Sequence, residues 1–292
     1  MTDRKNVMMR IAAWAARALP TPIKKALYRI PFLSGFLRRR LNQAAPEGII
    51  QVEIAAGVLK GMGMELDLQS EKDYWLGTYE PDLQAAARRF IRPGMTVYDV
   101  GANIGYISLM AARLNQPEGS VFAFEALPAN IQRLKRNVEL NQLTERITIN
   151  HAAVVNISGE VTFFMHRSGA MGKAQGSAGR DEDYQQSLHI PGLALDDFVF
   201  RQNQPKPDLV KLDIEGGEGM ALAGMARILK ETRPIFLIEL HGEQAAHQVW
   251  EQLSEHHYHI HRMQRGYREI DSIRELDWKA YVVAIPEERE HL

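Results

Sequence analysis

The chain has 292 residues, enough for one large domain or two small ones, and its 45% hydrophobic and 24% charged content is ordinary for a soluble globular protein. It contains no apolar, uncharged run of 18 residues, so a membrane-spanning helix is not expected. Cysteine is absent, which excludes disulfides, thiolate metal sites and cysteine nucleophiles and is compatible with a cytoplasmic location.

The net charge of -1 hides a basic N-terminal arm. Residues 1–45 contain ten Lys and Arg residues and one acid, so the rest of the chain carries a net charge of -10. Val7, Ile11, Trp14 and Ala18 recur at helical spacing in this arm. A basic amphipathic helix predicts peripheral binding to an anionic membrane surface; the alternative is an arm that packs on the main domain or on a second subunit. Nucleic acid is not an expected partner, because the arm has no aromatic stacking platform and the rest of the chain is acidic.

Residues 46–92 are predicted to form a separate small part of the chain. The segments "IIQVEI" and "GMELDL" flank a glycine-containing turn region, which predicts a β-hairpin. A helix is predicted to begin at Pro81, because proline suits the first turn of a helix. This part leads directly into the main domain.

Residues 93–292 alternate strands and helices, which predicts an α/β domain with a mostly parallel sheet covered on both faces. The predicted elements are the strand "TVYDV", the helix "YISLMAARL", the strand "SVFAFEA", the helix "PANIQRLKRNVELN", the strands "ITINHAAV" and "EVTFFMH", a short helix in "LALDDFVF", the strand "DLVKLDI", the helix "GEGMALAGMARILKE", the strand "PIFLIEL", the helix "EQAAHQVWEQLSEH", and the strands "YHIHRM" and "KAYVVAIP". The Gly-rich polar segment 168–186 is predicted to be a loop, either a substrate-side lid or an insertion without a catalytic role.

The stretch "DVGANIG" follows the first strand of this domain. Gly101 and Gly105 permit a tight turn and close approach to a ligand, and Asn103 offers both donor and acceptor atoms. The spacing differs from the dinucleotide pattern G-x-G-x-x-G, and Asp99 would repel a pyrophosphate but attract a cationic ligand. Twenty residues past Gly105, Glu125 ends the next strand, where an acid can accept two ribose hydroxyls. A ribose and a positive charge together indicate S-adenosylmethionine.

Several motifs carry a more specific signal when they are taken together. They are "DVGANIGYISLMAA", "VFAFEALPANIQRLKRNVELN", "LALDDF", "LVKLDIEGGE" and "PIFLIELHG", and the similarity extends over Tyr74–Pro286. In order and spacing they resemble the FkbM-type family of S-adenosylmethionine-dependent methyltransferases. The resemblance implies a class I methyltransferase fold, which is a Rossmann-like sheet of seven strands in the order 3-2-1-4-5-7-6 with the last strand antiparallel. It also implies methyl transfer to oxygen, commonly to a hydroxyl of a sugar, glycolipid or secondary metabolite.

The resemblance also implies which residues contact the cofactor. Contacts to the methionine portion and the turn are expected from Asp99, Gly101, Asn103 and Gly105. Contacts to the ribose and adenine are expected from Glu125, Ala126, Leu127 and Ala153, with His151 as a weaker candidate. Glu80, in "GTYEP", is expected to reach the cofactor's amino group.

Two strand ends carry candidate catalytic residues. "KLDIEGGE" places Asp213 and Glu215 on one side of a strand end, and "IELHG" places Glu239 and His241 in the same relation on the next strand. Because an alcohol is a weak nucleophile, a nearby base is helpful, and either a carboxylate or a histidine can accept a proton at neutral pH. Asp213, which is also expected to contact the cofactor, and His241 are predicted to face the acceptor. The alternative for His241 is a histidine whose hydrogen bonds are satisfied within a loop.

No metal site is predicted. The carboxylates of "DIEGGE" and "IELHG" are oxygen donors of the kind that Mg²⁺ accepts, but their spacing fixes no octahedral set. The histidines of "HHYHIH" alternate as they would on one exposed face of a strand, and they match no zinc motif.

Three functions remain open from these patterns. The first is a methyltransferase, the second an NAD-dependent oxidoreductase on a similar sheet, and the third a binding module that keeps the cofactor fold without catalysis. The acceptor and the oligomeric state cannot be deduced, because specificity in such folds depends on loops and added segments.

Overall fold

The structure is a computed structural model that describes residues 47–167, 169, 171–178, 184–277 and 279–289. The basic arm, residues 1–45, lies outside the described residues. The chain divides after Pro81 into two compact units. Among the residues described, no helix has the length and apolar character needed to cross a membrane.

The first unit contains a β-hairpin, as the sequence predicts. Strand β1 (Ile49–Glu53) pairs antiparallel with strand β2 (Gly63–Asp67). Met64 and Leu66 alternate along β2 and are fully buried, so one face of this strand is buried. A short helix, α1 (Lys72–Leu76), follows the hairpin.

The second unit alternates strands and helices. Helix α2 (Pro81–Phe90) begins at the proline, as predicted, because a first helical turn leaves its N–H groups without partners in the helix. The elements that follow are β3 (Thr96–Val100), α3 (Tyr106–Leu114), β4 (Ser120–Glu125), α4 (Pro128–Leu140), β5 (Ile147–His151), β6 (Ala153–Val154), β7 (Gly159–His166), β8 (Gly172–Ala174), β9 (Tyr184–Leu193), β10 (Leu209–Leu212), α5 (Glu218–Ala223), β11 (Ile235–His241), α6 (Glu243–Glu255), β12 (Tyr258–Arg262) and β13 (Lys279–Pro286). Short π-helical turns span Asp197–Arg201 and Ile228–Thr232, and short 3-10 turns span Ile273–Glu275 and Glu287–Arg289.

Seven strands form the central sheet in the order β12-β13-β11-β10-β3-β4-β5. Strands β11, β10, β3, β4 and β5 are parallel, whereas β13 is antiparallel to both of its neighbours. Numbered by their position in the chain, the seven strands lie in the order 3-2-1-4-5-7-6 with the last one antiparallel, the arrangement that the family resemblance implies. The strand order reverses between β3 and β10, and in open sheets ligands bind at such a point, beyond the carboxyl ends of the strands.

The middle strands are buried on both faces, which explains their nearly continuous apolar sequences. Every residue of β10 is buried, as are the last four residues of β3 and the last five of β4. On one face, Tyr98, Phe122, Phe124 and Phe198 pack together with ring centroids 5.2 to 5.9 Å apart. Burying a large apolar side chain of this kind stabilises the fold by about 1.5–3 kcal/mol, so the sheet is a firm support for the loops at its edge.

Four further strands form a smaller sheet in the order β6-β9-β7-β8. The sequence predicts a loop for residues 168–186, and this prediction is wrong for β8 and for the first residues of β9. Strand β8 pairs antiparallel with β7, and β9 pairs with β7 along nearly its whole length. These long-range pairings satisfy backbone groups of β8 and of the start of β9, whose own composition carries little strand signal.

The predicted strand "ITINHAAV" is divided into β5 and β6. The N–H of Ala152 donates to the carbonyl oxygen of Glu125 at 3.1 Å, at the end of the pairing between β4 and β5. The chain then leaves the central sheet, and β6 pairs with β9 of the smaller sheet. The divided strand therefore connects the two sheets.

The helix predicted over residues 217–231 is also divided. Helix α5 ends before Gly224, which lies so close to Val155 that an added Cβ would be 2.3 Å from the Val155 carbonyl oxygen. The next helical turn has its own cap, because the carboxylate of Asp196 accepts hydrogen bonds from the N–H groups of Arg227 at 2.8 Å and Ile228 at 2.9 Å.

Candidate active site

The loop after β3 turns tightly at the carboxyl edge of the central sheet. Gly101, Asn103 and Gly105 have φ angles of 78°, 50° and 94°. A Cβ on Gly101 would lie 1.9 Å from the carbonyl oxygen of Asp213, and one on Gly105 would lie 2.4 Å from the side chain of Leu134. The two glycines therefore let the loop pack directly against the turn after β10 and against α4.

Glu125, at the end of β4, organises this loop. Its Oε2 accepts a hydrogen bond from the backbone N–H of Asn103 at 2.8 Å, and its Oε1 accepts from the N–H of Leu127 at 2.8 Å and from the side-chain amide of Asn130 at 3.4 Å. Burial raises the pKa of Glu125 above its ordinary value, and the hydrogen bonds from Leu127 and Asn103 oppose that rise. The expected contact of Glu125 with a ribose stays a prediction.

The residues expected beside the adenine lie together. Ala126, Leu127 and Ala153 are buried members of one apolar cluster between the two sheets. His151 reaches this cluster from β5, with its Nε2 3.0 Å from the carbonyl oxygen of Ala126. The structure therefore brings these four residues together at the ends of β4 and β5.

Asp99 lies beneath the loop and not on its surface. Its carboxylate is fully buried, accepts a hydrogen bond from the hydroxyl of Ser108 at 2.6 Å, and lies 3.4 Å from the Nζ of Lys211. Lys211 also donates to the carbonyl oxygen of Gly101 at 2.8 Å and lies 3.5 Å from the carboxylate of Asp213. The expectation that Asp99 contacts the cofactor directly is corrected, because a fully buried carboxylate supports the loop through Lys211 instead.

Four carboxylates surround His241 at the end of β11. Its Nδ1 lies 2.9 Å from Glu218, and its Nε2 lies 3.3 Å from Glu239, 3.8 Å from Glu215 and 3.9 Å from Asp213. The structure thus brings together the four predicted catalytic residues, and it adds Glu218 from the first turn of α5.

The environment of His241 decides its charge. Burial by itself lowers the pKa of the imidazole, but the hydrogen bonds to Glu218 and Glu239 and the charge of Asp213 outweigh burial and raise this pKa to about 11. An imidazole with both nitrogens protonated is a donor only. In this arrangement His241 donates hydrogen bonds at neutral pH, and of the two kinds of base left open by the sequence a carboxylate fits better. That His241 faces the acceptor stays a prediction.

The carboxylates of Asp213 and Glu239 differ in their affinity for protons. Burial raises the pKa of Asp213 to about 6, although the charge of Lys211 opposes this. Burial also acts to raise the pKa of Glu239, but His241 and Lys279 outweigh it and lower this pKa to about 2. Asp213 is therefore the better proton acceptor, and Glu239 remains charged at neutral pH.

Two side chains of β13 complete the cluster and were not among the predicted site residues. The strand register sets Tyr281 opposite Glu239 and Lys279 opposite His241. The Nζ of Lys279 and the hydroxyl of Tyr281 both bind the Oε1 of Glu239, at 2.5 and 2.9 Å. These two contacts follow from the strand register and have no signal in the sequence. Lys211, in contrast, could have been found from the sequence, because a lysine interrupts the apolar strand "LVKL".

The segment predicted as a lid has one described part beside this cluster. The N–H of Ala178 donates to the carbonyl oxygen of Gly216 at 2.9 Å, and an added Cβ on Gly217 would lie 3.2 Å from the hydroxyl of Ser177. Residues 176–178 therefore border the turn after β10. A role for the segment as a lid stays a prediction.

Glu80 belongs to the first unit. It directly precedes α2 and has a φ angle of 39°, an uncommon conformation for a residue other than glycine. Its expected contact with the cofactor's amino group stays a prediction.

One group of side chains among the described residues has the proximity that a metal ion requires. Asp213, Glu239 and His241 each place one candidate ligand atom within 4.8 Å of the others. However, the Oε1 of Glu239 already binds Lys279 and Tyr281, and the carboxylate of Asp213 lies 3.5 Å from the Nζ of Lys211. We assign no metal to this group.

The histidines of "HHYHIH" do not share one exposed strand face. His257 precedes β12 with a φ angle of 56°, and His261 is buried with its Nδ1 3.1 Å from the carbonyl oxygen of Tyr267. His259 binds the carboxylate of Glu269 at 2.6 Å. His259 and His261 therefore contact residues of the segment that follows β12.

Comparison with known proteins identifies the family. Residues 99–269 match the sequence model of the family described as Methyltransferase FkbM domain. Hexuronic acid methyltransferase AglP of Haloferax volcanii is 29% identical over 159 residues, which cover 54% of this chain and 61% of that protein. The 31-O-demethyl-FK506 methyltransferase FkbM of Streptomyces tacrolimicus is 27% identical over 161 residues, which cover 46% of this chain and 61% of that protein. This chain thus spans less than two thirds of either relative.

Solved structures of similar chains include two methyltransferases. Methyltransferase FkbM from Methylobacillus flagellatus KT is 18% identical, with 74% of this chain and 53% of that chain covered and a TM-score of 0.43. An S-adenosylmethionine-dependent O-methyltransferase from Thermotoga maritima is 16% identical, with 87% of this chain and 83% of that chain covered and a TM-score of 0.45.

The family match covers more than half of the chain. It includes the loop after β3, Glu125 and both strand ends that surround His241. The chain therefore belongs to the FkbM family of methyltransferases, whose cofactor is S-adenosylmethionine.

Proposed function

We propose that this protein is an S-adenosylmethionine-dependent O-methyltransferase that acts on a hydroxyl group of a sugar, a glycolipid or a secondary metabolite. The observation that carries this proposal is the adjacency of two groups of side chains at one edge of the central sheet. Glu125 and the loop after β3 follow two neighbouring strands, and the cluster of Asp213 and His241 follows the next two. The first group suits the cofactor, and the second suits a polar acceptor.

The residues of the first group fit S-adenosylmethionine. The Oε2 of Glu125 accepts one protein hydrogen bond, so a lone pair remains for a ribose hydroxyl. The buried apolar cluster that contains Ala126 and Leu127 follows this carboxylate directly in the chain and would border the adenine. The carboxylates around His241 favour the positive charge of a sulfonium in the neighbouring space.

When bound, S-adenosylmethionine would supply a methyl group to the acceptor oxygen. The oxygen would form a bond to the methyl carbon with one of its electron pairs, and the pair of the broken carbon–sulfur bond would stay on sulfur. The protein must align the acceptor and remove its proton. Alignment alone can lower the barrier by several kcal/mol. Asp213 is 21% exposed and Glu215 is 35% exposed, so both carboxylates can accept hydrogen bonds from an acceptor hydroxyl.

Asp213 is the residue best suited to take the hydroxyl proton. Its pKa of about 6 leaves it ionised at neutral pH but makes it a better proton acceptor than an ordinary carboxylate. Glu239 holds its charge too firmly for this role, and His241 is already protonated. Transfer to oxygen is also supported by the relative named for 31-O-demethyl-FK506.

A labelling experiment tests the proposed reaction. The full chain is incubated with S-adenosylmethionine carrying a tritiated methyl group and with neutral sugars, hexuronic acids or hydroxylated polyketides. We expect label that resists alkaline hydrolysis, as an ether does, in at least one of these classes. We also expect at least a 100-fold loss in Asp213→Asn and no change in Glu243→Gln, whose side chain is 89% exposed. Label found only in amines, or only in alkali-labile esters, would contradict O-methylation of a hydroxyl.

A further inference from the structure

Glu218 is a fully buried carboxylate at the first residue of α5. Its Oε1 accepts hydrogen bonds from the N–H groups of Ile214 at 3.2 Å and Gly216 at 3.1 Å, and from the Nδ1 of His241 at 2.9 Å. One oxygen therefore joins the turn after β10 to the end of β11.

The turn that Glu218 spans has an uncommon backbone conformation. Glu215 and Gly216 have φ angles of 56° and 98°. A glutamate in the left-handed region is held there only when the surrounding contacts favour it. The hydrogen bonds that Glu218 accepts on either side of Glu215 are contacts of this kind, so Glu218 holds the backbone of this turn in place.

His241 receives charged neighbours from each element packed around it. The carboxylates are Asp213 and Glu215 in the turn after β10, Glu218 on α5 and Glu239 on β11, and the cations bound to two of them are Lys211 on β10 and Lys279 on β13. Glu218 differs from the other three carboxylates around the ring because it binds Nδ1, whereas they face Nε2. The two sides of the ring are therefore distinct.

We propose that Glu218 is a positioning residue that keeps His241 doubly protonated and aims its Nε2–H at the space lined by Asp213, Glu215 and Glu239. A carboxylate that accepts the Nδ1–H fixes the orientation of an imidazole, and its negative charge stabilises the imidazolium. His241 is then a hydrogen-bond donor to the acceptor oxygen, and it is not the base.

This assignment rests on the proposed methyl transfer. Asp213 removes the proton of the acceptor, and His241 stabilises the charge that develops on the acceptor oxygen. The acceptor hydroxyl gives its proton to the carboxylate of Asp213, and the electron pair left on the oxygen becomes available to the methyl carbon. The Nε2–H of His241 stabilises the negative charge that develops on this oxygen. The proton on Asp213 is released to water after the product leaves.

The charge of His241 can be measured directly in the full chain without any acceptor. Two-bond nitrogen–proton correlation spectra distinguish a doubly protonated imidazole from a neutral one, and the His241→Gln variant identifies the relevant signals among the ten histidines. In spectra recorded from pH 6 to pH 12, we expect His241 of the wild-type protein to stay doubly protonated up to pH 9 and to lose a proton only at about pH 11. In Glu218→Gln, which keeps an oxygen for the backbone N–H groups but removes the charge, we expect the pKa of His241 to fall by at least one unit.

Glu243→Gln is the matched control, because it removes an exposed carboxylate two residues after His241 and should leave the titration unchanged. A neutral His241 at pH 7 in the wild-type protein would overturn the proposal, and so would an identical titration in Glu218→Gln. If Glu218→Gln does not fold, the wild-type titration decides the question together with Glu218→Asp, in which the retained charge should keep the pKa of His241 high; a neutral His241 at pH 7 in folded Glu218→Asp would also overturn the proposal. Calorimetry with S-adenosylhomocysteine on the same samples separates the two proposals, since absent binding with a charged His241 would count against methyl transfer alone.

Discussion

Asp213 and His241 lie on neighbouring strand ends, yet their surroundings shift their protonation in complementary ways. Burial favours the neutral form of both side chains, and it prevails at Asp213, whose pKa rises to about 6. At His241 the nearby carboxylates prevail, and the pKa rises to about 11. One residue is therefore an ionised base at neutral pH and the other a charged donor, a pairing that suits removal of a proton from a hydroxyl.

The pH dependence of the reaction should report the ionisation of Asp213. Only the ionised carboxylate can take a proton, so kcat/KM should fall as pH drops through about 6 and should level off above it. Asp213→Asn should lower kcat by about 10² to 10⁴ and remove this limb of the profile. Initial rates between pH 5 and pH 9 test this. A flat wild-type profile, with unchanged affinity for S-adenosylhomocysteine, would argue against Asp213 as the base.

At the scale of elements, the loop after β3 depends on a glycine that packs against the next strand end. Gly101→Ala should destabilise the protein by at least about 3 kcal/mol, because its Cβ would lie 1.9 Å from the carbonyl oxygen of Asp213 and its φ is 78°. Gly94→Ala is the matched control, since Gly94 has a φ of 82° but no atom within 4 Å of an added Cβ. It should cost about 1 kcal/mol.

Urea unfolding of both variants measures these costs, and calorimetry with S-adenosylhomocysteine measures the effect on the site. Binding should be lost in Gly101→Ala and kept in Gly94→Ala. If the two variants are destabilised equally, close packing of the loop against the end of β10 is not the reason for a glycine at residue 101.

Strands β3 and β10 are joined at their ends by a buried ion pair. Lys211→Met should destabilise the protein by about 3–5 kcal/mol, because it leaves the fully buried carboxylate of Asp99 without its cation. The double variant Lys211→Met/Asp99→Asn should recover part of this loss, since asparagine is neutral and can still accept the hydrogen bond from Ser108. Chemical denaturation of the two variants and of Asp99→Asn completes the cycle. A double variant as unstable as the sum of the single variants would contradict direct coupling.

The elements that the sequence predicts well are those with a strong local pattern. The helix "YISLMAARL" and the strand "TVYDV" have the predicted bounds, because a repeating apolar pattern and flanking glycines define both. The smaller sheet was predicted only in part, since β8 exists through pairing with β7, and no local pattern encodes that partner. Helix α5 ends early for a similar reason, namely the close approach of Gly224 to Val155.

At the scale of the whole molecule, the candidate site was also predicted only in part. The sequence predicts that Asp213, Glu215, Glu239 and His241 lie together, because carboxyl ends of neighbouring parallel strands meet at one edge. It does not predict the charge of His241 or the burial of Asp99, because both depend on neighbours that are distant in the chain, such as Lys211 and Glu218.

The basic arm remains a prediction about the whole molecule, because residues 1–45 lie outside the described residues. If the arm binds anionic membranes, the full chain should sediment with vesicles containing phosphatidylserine, and this should weaken with added salt. A chain lacking residues 1–45 should stay in the supernatant, and neutral phosphatidylcholine vesicles serve as the control. Equal sedimentation of the two chains would rule out the arm as the anchor.

The most direct test of the account is calorimetric titration of the purified full chain with S-adenosylhomocysteine and, separately, with NAD. We predict micromolar binding of S-adenosylhomocysteine and none of NAD, with at least tenfold weaker binding of S-adenosylhomocysteine in Glu125→Ala because the ribose loses its acceptor. Glu243→Gln should bind as the wild-type protein does. Binding of NAD, or undiminished binding of S-adenosylhomocysteine in folded Glu125→Ala, would contradict the assignment of this edge of the sheet as the cofactor site.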